Sequence, residues 1–302
     1  MAETLTHSHA PTNFGRAFTI GIVLNLGFVI VEFFYGRAAH SLALVADAGH
    51  NLGDVLSLLL AWGALLLSKR LPTQRRTYGF RRSSILASLV NAVVLLVTVG
   101  AVAWEAIRRL SEPAPIGEIT VIWVAAVGIL INGMTAVLFM SGRKDDLNIK
   151  GAFLHMASDA AVSLGVVLAG VVILFTGWFW LDPVVSLVVM GVILVGTWGL
   201  LRDSVNLALD AVPENIEIGD VEKYLKALPN VSDVHDLHIW GMSTTEAALT
   251  AHLVMPHASC EDSLLSRICR ELHDQFGIEH ATIQVENGDP AHPCGLAPNH
   301  VV

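Results

Sequence analysis

Two five-residue stretches in this sequence share one spelling, HNLGD with His50 and Asp54, and HMASD with His155 and Asp159. Each places an imidazole and a carboxylate at i, i+4. On a helix such residues lie about 40° apart around the axis and one turn apart along it, so each pair projects two adjacent donor atoms from one face. Two imidazole nitrogens with two carboxylate oxygens form a four-donor set suited to tetrahedral zinc and similar borderline divalent ions. Magnesium and calcium prefer all-oxygen shells. Asp47 lies on nearly the same face as Asp54 but almost two turns away, an accessory position suited to an exit path or to orienting a ligand.

The surroundings of these pairs are apolar. The 302 residues are 53% hydrophobic and 15% charged, with mean hydropathy +0.59. That composition belongs to an α-helical membrane protein. A hydrocarbon core of about 30 Å needs about 20 apolar residues. Six stretches meet the requirement, near residues 14–36, 41–67, 83–110, 116–141, 149–177 and 182–201. An Asp at mid-bilayer costs about 2.5 to 3.5 kcal/mol, so ionisable residues on two spans call for a common purpose. Helical rise puts His50 roughly 13 Å and Asp54 roughly 19 Å below the outer edge, and His155 roughly 9 Å and Asp159 roughly 15 Å above the inner edge. In a core of about 30 Å, His50 then lies level with Asp159 and Asp54 with His155, so the four side chains can converge at one place.

The loop KRLPTQRRTYGFRR carries six Lys or Arg and the segment SGRKDDLNIK carries three. By the positive-inside rule both face the cytoplasm, and both termini do too. The lead MAETLTHSHAPTNFGRAF reads as a short cytosolic entry to a retained helix rather than a cleaved signal.

Charge divides the chain. Residues 1–202 are net +3 and residues 203–302 net −12, which argues for two solvent environments and against a nucleic-acid surface. The tail holds all three cysteines, Cys260, Cys269 and Cys294, an odd number without paired spacing, so a reducing compartment is expected. Its pattern reads helix, strand, strand, helix, strand, a small α+β layer, with Asp220 a candidate cap for the first helix. The expected organisation is a cytosolic N-terminus over 1–13, a six-helix transmembrane domain over 14–208, a cytosolic domain over 209–287 and a flexible end over 288–302. Leu264, Leu265, Ile268 and Leu272 read as core. His273 and His300 read as solvated, and His238 as a strand residue beside Trp240. His7, His9, His292 and Cys294 are donors at the ends able to capture metal.

SLALVADAGHNLGD, TYGFRRSSILASLVNA, NIKGAFLHMASDAAVSLGVV, LDPVVSLVV, HDLHIW, TAHLV and IEHATIQVE together resemble the cation diffusion facilitators, over residues 14 to 287, and most of all their bacterial zinc, cadmium and cobalt efflux branch. The resemblance implies a homodimer in the bacterial inner membrane, with six membrane helices per subunit and a ferredoxin-like, metallochaperone-like cytosolic domain. It implies exchange of cytosolic divalent metal for external protons. It assigns the transport site to His50, Asp54, His155 and Asp159, and a regulatory zinc site at the dimer interface to His235, His252 and Glu286, with His280 a further candidate. Two departures stand out. Ser84 occupies a position that is Glu in many members, and the loop between the second and third spans has no His, so no metal site is expected there. The ten residues between spans four and five, in place of a His-rich insertion, favour a bacterial origin.

Metal ligation needs neutral imidazole and ionised carboxylate, so protons and metal compete for one site. Histidine, with an ordinary pKa near 6.5, is the natural exchanger. Two other readings use the same residues: an intramembrane metal-dependent hydrolase, and a membrane-anchored metal sensor. The first lacks HExxH and an open coordination position. The second leaves the matched depth of the two HxxxD pairs without a purpose.

Overall fold

A computed structural model describes residues 15–68, 70–140, 147–256 and 262–297. Six long helices come first: α1 (Gly15–Ala38), α2 (Leu42–Ser68), α3 (Ser83–Ser111), α4 (Glu118–Met140), α5 (Leu147–Thr176) and α6 (Leu181–Ala208). Then follow α7 (Ile218–Lys226), β1 (Asp233–Gly241), β2 (Ala247–Val254), α8 (Asp262–Phe276) and β3 (Ile278–Glu286). Among the described residues, Ser83–Ser111, Glu118–Val137, Phe153–Thr176 and Leu181–Ala208 are long and apolar enough to cross a membrane.

The chain divides into two compact units, Met1–Leu59 with Asn91–Trp198, and Leu60–Val90 with Gly199–Val302. In the first, helix α4 packs along α5 and α1 packs on α4. Phe28, Leu44, Val121, Ala125, Val166 and Ile173 form its core. Large apolar side chains also face outward, among them Val97, Trp123, Leu130, Phe175 and Val195. Helices apolar on every side are what a hydrocarbon solvent requires.

Helix α2 is started by a residue from another helix. Asp182, in the first turn of α6, accepts hydrogen bonds from the Ser41 hydroxyl and from the backbone N–H groups of Leu42, at 2.7 Å, and Ala43, at 3.3 Å. Ser41 Oγ in turn accepts the Leu44 N–H at 3.3 Å. These are the N–H groups that a helix leaves unpaired at its N-terminus. The buried cap fixes where α2 begins, and so where His50 falls two turns later.

In the second unit the sheet order is β1-β2-β3, with β1 antiparallel to β2 and β2 parallel to β3. The parallel pair needs a crossover, which α8 supplies. Leu225, Leu249, Leu253, Ile268, Leu272 and Ile278 are fully buried in one cluster, so the amphipathic stripe of α8 is core, as its spacing predicts. Of the other stripe residues, Leu264 packs against that cluster. Asp220 is not the cap of α7: Glu217 occupies that position without a side-chain hydrogen bond, and Asp220 pairs with Lys223 at 2.9 Å inside the first turn. Ser84 accepts the Thr244 N–H at 3.1 Å, joining the start of α3 to the β1–β2 hairpin. Arg81 pairs with Glu246 at 2.8 Å beside it.

Candidate metal centres

Helices α2 and α5 bring the two HxxxD pairs face to face. His50 Nε2 lies 3.4 Å from Asp159 Oδ1 and 3.7 Å from Asp54 Oδ2. His155 Nε2 lies 3.3 Å from Asp54 Oδ2 and 3.7 Å from Asp159 Oδ2. The imidazole rings meet edge to face with centroids 6.1 Å apart. A tetrahedron with metal–ligand distances of about 2.1 Å has edges of about 3.4 Å, close to each of these separations. Asp54, His155 and Asp159 offer ligand atoms within 4.8 Å of one another, and His50 approaches the set through the other oxygen of Asp159. Asp159 is buried, and both Asp54 Oδ2 and Asp159 Oδ2 are shielded atoms that accept no hydrogen bond among the described residues. Buried carboxylate oxygens without donors are costly unless a cation satisfies them. A divalent ion held by four protein donors leaves no coordination position for substrate water, the arrangement of a holding site rather than a hydrolytic one.

Asp47 does not join these four. It is buried one turn away, where its Oδ2 accepts the Ser163 hydroxyl at 3.1 Å and its carboxyl lies beside that of Glu32. Glu32, fully buried on α1, accepts the Asn51 amide at 3.2 Å. A polar layer of α1, α2 and α5 thus backs the face that carries the two HxxxD pairs. The spacing of HNLGD gives no hint of Glu32, whose only signal is an acidic residue in an apolar run.

A second donor cluster lies in the α+β layer. Strand register pairs His235 with His252, and Val254, two residues beyond His252, with Glu286. His252 Nδ1 is 2.9 Å from Glu286 Oε1, and His235 Nε2 is 3.5 Å from Glu286 Oε2. A bulge between His235 and His238, with Asp236 at φ 49°, turns the Asp236 carboxylate toward two imidazoles. It stands 3.4 Å from His252 Nε2 and 3.0 Å from His238 Nε2. A proton on Nε2 of His252 held by Asp236 leaves Nδ1 free to ligate, the usual way an outer carboxylate sets a ligand's tautomer. Burial by itself pushes the pKa of Glu286 up, yet hydrogen bonds from Cys294 and Gln284 and the neighbouring His235 and His252 together hold it below the usual carboxylate range.

His280 is not part of this cluster. It shares β3 with Glu286 but pairs with Ala248, six residues up the strand, a span of about 20 Å. Its ring instead meets that of Tyr78, with centroids 5.6 Å apart. Cys294 stands with the cluster instead: His235, His252, Glu286 and Cys294 each offer an atom within 4.8 Å of the others. His273 is exposed and paired with Asp274 and Glu279, and His292 is exposed beside Asp289. His7, His9 and His300 lie outside the described residues.

An apolar helical domain holding ionisable pairs at one level, followed by a small α+β layer with its own donor cluster, defines a membrane transport protein with a metal-binding appendage. Residues 18–207 match the family model described as the cation efflux transmembrane domain, and residues 213–288 match that of the cation efflux protein cytoplasmic domain. The chain belongs to the cation efflux family, and it is a transporter rather than an enzyme. It is 37% identical to the metal cation efflux system protein CzcD of Cupriavidus metallidurans, over 93% of this chain and 89% of that one. It is 37% identical to the zinc transporter ZitB of Escherichia coli, covering 95% and 93%. With the cadmium, cobalt and zinc/H(+)-K(+) antiporter of Bacillus subtilis it shares 33%, covering 93% and 91%.

Proposed function

We propose that this protein moves zinc, or the similar ions cadmium and cobalt, out of the bacterial cytoplasm across the inner membrane in exchange for protons, through His50, Asp54, His155 and Asp159. The observation that carries the reading is the set of four N···O separations between 3.3 and 3.7 Å, made by two HxxxD pairs 105 positions apart in sequence, three of them to the shielded oxygens Asp54 Oδ2 and Asp159 Oδ2, which accept no hydrogen bond among the described residues. The names of the relatives, which specify zinc, cadmium and cobalt, point to the same cargo.

The roles follow from the chemistry of the donors. Each aspartate faces both imidazoles, so the carboxylates supply the charge that balances a dication and hold the histidines in register. Ligation uses neutral imidazole and ionised carboxylate, so metal entering from the cytoplasm expels protons, and protons entering from outside expel metal. In this reading α1 and α2 are the first two of six spans, with both termini cytoplasmic. Residues 14–208 form the transport domain and 209–287 the cytosolic domain, where His235, His252 and Glu286 form a regulatory zinc site and the chain dimerises.

Flux into proteoliposomes tests the reading. Zinc uptake driven by an imposed pH gradient, and lost in Asp54→Ala and Asp159→Ala, is the expected result. Zinc binding without gradient-driven flux in the intact protein overturns it.

A further inference from the structure

The chain after β3 does not run off as a loose end. Met255 N–H bonds the Glu286 carbonyl at 2.7 Å, and the backbone then reverses at Gly288, φ 66°, where a Cβ would stand 2.8 Å from Val254 Cγ1. Only glycine combines that conformation with so close an approach. Asp289 then accepts the Ala291 N–H at 2.9 Å, its carbonyl accepts the His292 N–H at 3.0 Å, and the Ala297 N–H reaches the Cys294 carbonyl at 3.3 Å. Residues 288–297, the described part of the segment 288–302 expected to be a flexible end, follow hydrogen-bonded turns that fold back on the sheet. The turns carry the Cys294 sulfur to 3.6 Å from His252 Nδ1, and the thiol also hydrogen-bonds Glu286.

Two further observations point to a ligand at this place. His235 is buried, at 7% exposed, and its Nε2 makes no hydrogen bond among the described residues although it faces Glu286. The sulfur–nitrogen separation also has a specific meaning. With Zn–S about 2.3 Å and Zn–N about 2.1 Å, a tetrahedral S···N edge is about 3.6 Å. A nitrogen of His252, the buried nitrogen of His235, a carboxylate oxygen of Glu286 and the Cys294 sulfur therefore lie close enough to one another to share one ion.

We propose that Cys294 is a metal ligand, and that the C-terminal segment completes within a single chain a thiolate, imidazole and carboxylate site for a thiophilic divalent cation such as zinc or cadmium. The inference rests on reading His235, His252 and Glu286 as a metal site and adds to it the sulfur donor and what the sulfur does. A thiolate makes this site softer than the intramembrane one, which holds only nitrogen and oxygen donors, so it ranks cadmium higher and excludes manganese and magnesium. Occupation adds a metal–sulfur bond to the turns that already hold residues 288–297 against the sheet.

The test uses the full chain in detergent with Cys260→Ser and Cys269→Ser, which leave Cys294 as the single thiol, and with Asp54→Ala and Asp159→Ala, which remove the intramembrane donors. Titration with cobalt(II) is expected to give tetrahedral d–d bands together with a thiolate-to-cobalt charge-transfer band. Cys294→Ser and Cys294→Ala should both abolish the charge-transfer band and weaken cobalt binding by at least 10- to 100-fold, the loss typical even of an outer-shell change. Zinc should also slow alkylation of Cys294 by iodoacetamide. Bound cobalt showing d–d bands without charge transfer overturns the role of Cys294 and leaves the imidazole and carboxylate site standing. A chain that binds no cobalt once the intramembrane donors are removed overturns both readings.

Discussion

His50 Nε2 stands closer to Asp159 on α5, at 3.4 Å, than to Asp54 on its own helix, at 3.7 Å. His155 repeats the relationship, 3.3 Å from Asp54 and 3.7 Å from its own Asp159. The shorter pairs cross between helices, so the centre is a property of how α2 packs on α5 and of neither HxxxD pair alone. Residues that act as one unit give non-additive losses. His50→Ala and Asp159→Ala should each weaken zinc binding by at least about 100-fold, and the double variant by little more than either single one. Isothermal titration of the detergent-solubilised protein checks this; strictly additive losses would mean that the two residues do not share an ion.

Replacing an imidazole by a carboxylate hardens the donor set. His50→Asp should shift the ion preference away from zinc and toward manganese, since a set of one nitrogen and three carboxylates favours harder ions than a set with two nitrogens does. Competition between these ions in the flux assay measures the shift. Unchanged zinc preference would place His50 outside the coordination sphere.

Asp47 is buried against Glu32 and Ser163 rather than among the ligands. Asp47→Asn should therefore leave the zinc stoichiometry of the proposed transport site unchanged, as read by metal analysis after equilibrium dialysis. Loss of a bound equivalent would make it a ligand after all.

The cap on α2 is open to a direct test. Asp182→Ala strips the acceptors from the Leu42 and Ala43 N–H groups and from the Ser41 hydroxyl. The expected loss of stability is about 2 kcal/mol, read as a lower thermal midpoint in detergent. An unchanged midpoint would mean that water replaces the carboxylate.

Two glycines should respond differently to the same substitution. A Cβ on Gly36 would lie 2.9 Å from Leu44 Cβ and 3.2 Å from the Val45 backbone nitrogen, neither of which can swing aside. At Gly53 the obstruction is the far end of the Leu95 side chain, which can rotate. Gly36→Ala should cost about 1 to 3 kcal/mol and Gly53→Ala less, compared by thermal midpoints. The reverse order would contradict the packing described for the start of α2.

What the sequence determined by itself was whatever depends on local geometry. Helical spacing put His50 beside Asp54 and His155 beside Asp159, rise per residue put the two pairs at one depth, and alternation and amphipathic period gave the order of elements in the cytosolic layer. Tertiary structure decided what depends on distance through space. His280 and Glu286 lie on one face of β3, but a period of two says nothing about the six residues between them, so face was legible and reach was not. Asp182 caps a helix that begins 140 positions earlier, and Glu32 backs the ligating face from a helix with no motif of its own. Cys294 reaches His252 through turns fixed by Gly288 and Asp289, where no periodic pattern applies. Periodic backbone projects side chains predictably from sequence, whereas contacts between elements are set by packing and by irregular turns, which only the folded chain specifies.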